Sequence, residues 1–219
     1  MSDQHLRELE AAWRASGTVE DEAAWLRSRV QAGELEEERL ELAAYCGHRA
    51  AASAAPERAA PDNTRAWVES LREHGQAVAA RVAVACGLVA HAAWIAVEET
   101  FGRRWTEGDR AAALAAIHAA ESWVVCPCWA HQEAAGVAAQ VVSSWPPPAC
   151  CFEYVAGTVR TEKAGTSGWF RSAVEGACVL SSEDQIRSAV RAELVPWALG
   201  YSDPVRERVE ARQREAAGE

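Results

Sequence analysis

Lysine is almost missing from this chain of 219 residues, with Lys163 the only one, and the formal net charge is −10. A partner met through its phosphate backbone is bound by clustered Lys and Arg, so nucleic acid is not expected. Anionic membranes would be repelled by the same surface, and a charged partner should be basic. Isoleucine, phenylalanine and tyrosine occur three times each and methionine once. Scarce isoleucine and phenylalanine, both strand formers, argue against a β-sheet. The longest apolar run, Val82 to Val97, is shorter than the ~20 residues of a membrane span and contains Gly87 and His91, so it reads as a buried core helix. Fingerprints with a known mechanism are missing too: there is no HExxH, no phosphate loop ending in Lys-Ser/Thr, no GxGxxG and no GxSxG.

Alanine, the best helix former, supplies about a fifth of the chain, and ten tryptophans supply the bulk that alanine lacks. The expected class is all-α, a helical bundle in which small residues let helices approach and the tryptophans fill the remaining volume. Seven cysteines are an odd number. The polar start, Met1-Ser2-Asp3-Gln4-His5, shows no secretory signal, so the expected setting is cytoplasmic with reduced thiols packed as small hydrophobes.

Along the chain, Leu6, Leu9 and Trp13 mark a first helix ended by Gly17, and Thr18 with Asp21 forms a capping box for a second that stops at Gly33. Leu35, Leu40 and Ala43 define a third that closes at Gly47. Pro56 and Pro61 then separate a three-helix N-terminal module, residues 1–58, from a main bundle over 59–219. In the bundle, one helix from Asp62 ends near Gly75, and a long apolar one runs from Gln76 to Thr100. Thr106 and Asp109 cap a helix with a small-residue seam at Ala113, Ala116 and Ala120. Pro127 ends it, and a new helix runs from Cys128 to Ser144, before Pro146-Pro147-Pro148. Residues 150–168 read as irregular helix, with a short hairpin as the other option. Ser181 with Asp184 caps a helix that Pro196 bends or ends at Trp197, and Pro204 opens a charged terminal helix with too few apolar residues to bury much.

A faint echo runs through the first half. Ala24-Trp25, Gly33 and Cys46-Gly47 are followed, about 40 residues on, by Ala66-Trp67, Gly75 and Cys86-Gly87. A short α-solenoid of helix pairs is therefore the alternative architecture.

The chemistry gathers at Cys126-Pro127-Cys128 with His131 three residues on. Two thiolates and an imidazole inside one helix-breaking turn are ligand types that tetrahedral zinc accepts. The Cys-x-Cys spacing is tighter than a zinc knuckle, so the fourth ligand would come from elsewhere: Cys46 or His48, or Cys150 and Cys151. Packed free thiols beside Trp123 and Trp129, with His131 hydrogen-bonded at a helix start, are the simpler reading of the same residues. A third is nucleophilic catalysis, with Cys128 near a helix N-terminus and His131 one turn away. His91 and His118, both in apolar helical settings, could pair as a buried polar site.

Two stretches carry a resemblance. Glu34 to Ala51, Glu-Leu-Glu-Glu-Glu-Arg-Leu-Glu-Leu-Ala-Ala-Tyr-Cys-Gly-His-Arg-Ala-Ala, resembles a helical segment of uncharacterised alanine-rich proteins of myxobacteria and planctomycetes. Arg110 to Ala139, with Ala-Ala-Glu-Ser-Trp, then Cys-Pro-Cys and His131, is similar to the alanine-rich helices of immunity proteins of bacterial toxin systems. The resemblance implies an all-helical protein that acts by binding a protein partner, without catalytic residues of its own. The expectation is a non-catalytic interaction protein whose acidic face, including Glu36, Glu37 and Glu38, covers a basic surface. A zinc- or thiol-dependent helical enzyme centred on Cys126, Cys128 and His131 is the alternative.

Overall fold

The structure is a computed structural model that describes residues 3–55, 60–96, 106–145, 151–159 and 166–218. It is all-α, with twelve α-helices and no strand among the described residues. The expected proline stop at 146–148, Pro56, Cys150, Trp105, Lys163 and the last part of the helix expected up to Thr100 lie outside them.

Two compact units emerge, and each takes sequence from both halves of the chain. The first comprises Met1–Ala60 with Leu194–Asp203, and the second Pro61–Glu193 with Pro204–Glu219. The N-terminal module expected over 1–58 thus acquires a piece from near the C-terminus.

In the first unit, α1 (Asp3–Ser16) ends where Gly17 takes φ 62°, and α2 (Val19–Gln31) begins one residue later. The Thr18 hydroxyl accepts the Asp21 N–H at 3.3 Å and donates to the Asp21 carboxylate at 2.9 Å, so Thr18 caps the helix, but the expected box is only half formed, since the Thr18 N–H goes to Ser16 Oγ at 3.2 Å. Three helices were expected here, but four form. Gly47 ends α3 (Glu37–Tyr45) at φ 84°, and His48 starts α4 (Arg49–Ala54) by accepting the Ala51 N–H on Nδ1 at 3.3 Å. A histidine cap carries none of the usual Ser/Thr/Asp/Asn signal, which is why the restart was not legible. Leu6, Trp25, Leu26, Leu40, Leu42 and Ala43 build this unit's core.

The second unit starts with α5 (Thr64–Leu71), whose N-terminus Asn63 caps by accepting the Ala66 N–H at 2.9 Å. A 3₁₀ turn (Arg72–His74) leads into α6 (Gln76–Ala96), followed by α7 (Glu107–Val125), α8 (Trp129–Val142), α9 (Cys151–Gly157) and α10 (Thr166–Leu180). By length and composition α6 could cross a membrane, with mean hydropathy 1.4 over Gln76–Ala93, and 61% of that window is buried inside the protein. It packs on α7, α9 and α10. Alanine and glycine make that packing possible: a Cβ on Gly87 would meet Val155 Cγ2 at 3.0 Å and Ile117 Cγ1 at 3.2 Å, so three helices converge on one missing side chain. This also removes the main support for a repeat, since Cys46-Gly47 ends a helix and Cys86-Gly87 lies within one.

The capping box of α7 forms as expected, with Thr106 Oγ1 accepting the Asp109 N–H at 3.1 Å and the Asp109 carboxylate accepting the Thr106 N–H at 2.8 Å. The box at the start of α11 (Glu183–Leu199) sits one residue later than expected. Ser182 Oγ accepts the Gln185 N–H at 3.3 Å and Gln185 Oε1 accepts the Ser182 N–H at 2.9 Å, so Ser182 and Gln185 take the roles expected of Ser181 and Asp184. Pro196 does not end this helix; it lies inside, and Gly200 at φ 69° is the stop. The Ala192 carbonyl loses its N–H partner there, and only three residues follow Pro196 before the helix ends at Leu199. The terminal helix α12 (Pro204–Ala217) buries more than expected, with Val205 fully enclosed and Val209 7% exposed.

The tryptophans divide. Trp67 is fully buried and Trp25 and Trp145 nearly so, but Trp129 is 75% exposed. Universal core packing is therefore corrected at Trp129, which α8 turns outward.

The Cys126, Cys128 and His131 site

Helix α7 has Cys126 as its C-terminal cap, with its N–H on Ser122 O at 3.0 Å. Pro127 brings no N–H, so the chain reverses through a three-residue turn in which the Cys128 N–H donates to Cys126 O at 2.8 Å. Cys128 then caps α8, its carbonyl accepting the Gln132 N–H at 3.0 Å. One turn into α8, the His131 imidazole folds back over this reversal. Its Nδ1 lies 2.9 Å from Cys126 O and 3.3 Å from Cys128 Sγ. A carbonyl only accepts, so Nδ1 carries the proton and shares it between that oxygen and the sulfur.

The two sulfurs and one imidazole nitrogen lie within 4.8 Å of one another, with Cys126 exposed and the other two half-buried. The thiols are made unequal. The His131 backbone N–H first, and the Cys126 thiol second, hold the Cys128 thiol below its ordinary range, while the hydrogen bond to Cys128 pushes the Cys126 thiol up. The arrangement can present soft donors to a metal ion or a thiolate to an electrophile.

Among the described residues no fourth His, Cys, Asp or Glu joins the group. Cys46 belongs to the first unit, buried at the end of α3. His48 is used there as a cap, with its other nitrogen, Nε2, 3.6 Å from the Glu22 carboxylate. Cys151 is buried in α9. Burial lowers the pKa of both His91 and His118; a hydrogen bond to the Arg110 backbone works against it at His91, and the Arg212 charge adds to it at His118. Their proximity registers only as a small mutual repulsion at His118.

Sequence reading missed a buried ionic group in the second unit. Glu121, fully buried, and Glu193, 4% exposed, face Arg81, Arg208 and Arg212. A signal existed: Glu121 falls four residues after Ile117 and Glu193 three after Val190, in register with apolar faces. It also missed the stacking in the first unit of Trp13 on Trp25, centroids 4.6 Å apart, with Tyr201 5.6 Å from Trp13. Tyr201 donates to Glu22 Oε1 at 2.5 Å and, with Glu10, Arg14, Arg29 and Glu34, rims a cleft of about 410 Å³. Compared with protein-family models, curated proteins and solved structures, the chain finds no match.

Proposed function

We propose that the protein acts by binding another protein through the outward face of α8. The observation that carries this is the exposure of Trp129 at 75% and of Val137 and Val141 at 59% each, with Ala130 and Ala134 open beside them. An exposed tryptophan among exposed aliphatics along one helix is the kind of apolar patch that marks interaction surfaces, and tryptophan is enriched where interface energy concentrates. The helix carries a single carboxylate, Glu133, and no Lys or Arg. With a net charge of −10, the fitting partner is a protein with an apolar groove rimmed by basic residues. The resemblance of Arg110 to Ala139 to immunity-protein helices, which reaches into this helix, supports a toxin-masking role. The exposed Glu36, Glu37 and Glu38 would then steer association rather than hold the complex.

The test is photocross-linking from position 137 in native cells, followed by binding of the purified captured protein. Replacing Trp129, Val137 and Val141 together by Ser should weaken binding about thirtyfold or more, the ~2 kcal/mol of an interface hot spot, without lowering the unfolding temperature. Binding unchanged by these substitutions or by salt would refute the assignment. So would a wild-type dimer that the same substitutions dissolve, because the face would then belong to a second copy.

The enzyme reading draws on the 4.8 Å grouping of Cys126, Cys128 and His131. It expects Cys128→Ala to abolish a turnover while leaving folding nearly intact, whereas the interaction reading expects no turnover to lose.

A further inference from the structure

From the placement of three donor atoms around one turn, we infer that Cys126, Cys128 and His131 form a site for one thiophilic divalent cation of the zinc class. The inference is independent of the α8 docking face.

The donor set comes first. Tetrahedral zinc holds sulfur at about 2.3 Å and nitrogen at about 2.0 Å, which keeps neighbouring donors roughly 3.5–3.8 Å apart. Cys128 Sγ and His131 Nδ1 already stand 3.3 Å apart, and the whole set spans no more than 4.8 Å. Closing the remainder takes rotation of the exposed Cys126 side chain and of the His131 ring, whose Nδ1 must turn from Cys126 O toward the metal. The cation replaces the proton on Nδ1, and the ring exchanges its bond to Cys126 O for the metal while Nε2 takes up a proton.

The backbone is prepared for this. The Cys128 N–H on Cys126 O and the fixed φ of Pro127 hold the two cysteines in one reversal without help from the rest of the fold. The electrostatics are balanced as well. The turn joins the carbonyl end of α7 to the amide end of α8, so the two helix-end potentials oppose one another. Two thiolates then neutralise a divalent ion on an exposed surface, with no buried charge left over.

The experiment is a cobalt(II) titration of the full chain, freshly reduced, followed by absorption. The expected result is a thiolate-to-cobalt charge-transfer band that saturates at one cobalt per chain and is bleached by zinc. Cys126→Ser and Cys128→Ser should each abolish it, His131→Ala should retain a band but weaken binding roughly tenfold or more, and Cys178→Ala should change nothing. Should a variant fail to fold, alkylation of the wild-type chain gives the same answer: zinc should protect Cys126 and Cys128 while leaving the rate at half-buried Cys178 unchanged. No charge-transfer band, a band that survives Cys128→Ser, or saturation at half an equivalent would each overturn the site. No partner takes part in the titration, so a blank leaves the docking assignment standing, and loss of partner binding on changing Trp129 leaves the metal site standing.

Discussion

Arg208 and Glu121, 87 positions apart in the sequence, meet at 2.5 Å, with the guanidinium Nε–H on Glu121 Oε1. A second nitrogen of the same guanidinium reaches Glu193 Oε2 at 2.8 Å, and Arg212 comes within 2.6 Å of the other Glu121 oxygen. Two carboxylates that would repel in the interior are thus held by arginines from α12. The terminal helix is anchored by its charges as much as by Val205 and Val209.

Replacing Arg208 by Met should therefore destabilise the second unit by about 3 kcal/mol, the low end for stranding a buried carboxylate, because Arg212 keeps part of Glu121's charge compensated. Thermal unfolding of Arg208→Met, Glu121→Gln and the double variant would show the coupling: the double variant should be less damaged than the sum of the two.

Stability should fall as the pH drops below about 6.5. His48, His91 and His118 all have pKa values lowered from 6.5, chiefly by burial. The unfolded chain takes up protons at these sites before the folded one does, so their contribution is complete above the unfolded value and is lost as pH falls through the folded ones. Unfolding midpoints between pH 7.5 and 5.5 would check this. His48→Asn keeps a capping side chain and should flatten the slope.

Trp67 is fully buried, with the Arg187 guanidinium 4.9 Å above its ring. Trp67→Ala should cost about 3–5 kcal/mol in denaturant unfolding, and Trp67→Phe distinctly less, because a ring remains to fill the space and to face the cation.

Gly157 of α9 lies directly against Trp169 of α10, since a Cβ there would overlap the Trp169 ring. Gly157→Ala should destabilise by about 1–3 kcal/mol despite alanine's better helix propensity, as forced overpacking does. Gly168→Ala, where nothing lies within 4 Å of the new carbon, serves as the control in the same melt.

Much of the local structure is legible because local rules decide it. The Thr18 and Thr106 caps, and the stops at Gly17, Gly33 and Gly47, follow from hydroxyl-to-amide capping and from glycine's access to positive φ. Cys126, Cys128 and His131 are also within reach of sequence reading, since six consecutive residues around a proline can converge in only a few ways. Cys46 and His48 as added ligands were not: one is buried and the other is spent on a cap. Nothing local said so, because a histidine cap and a histidine ligand look alike in a sequence.

The all-α class was determined by the sequence alone, through alanine abundance and the scarcity of isoleucine and phenylalanine, as were most helix ends and the thiol turn. Only the tertiary structure decided which apolar residues stay outside, Trp129 above all, and that Leu194–Asp203 joins the first unit. It alone decided that Glu121 and Glu193 are met by Arg81, Arg208 and Arg212. Helix periodicity places a side chain on a face, but which face meets another helix is settled by packing over the whole chain. A buried charge is tolerable only where distant residues arrive to pair it.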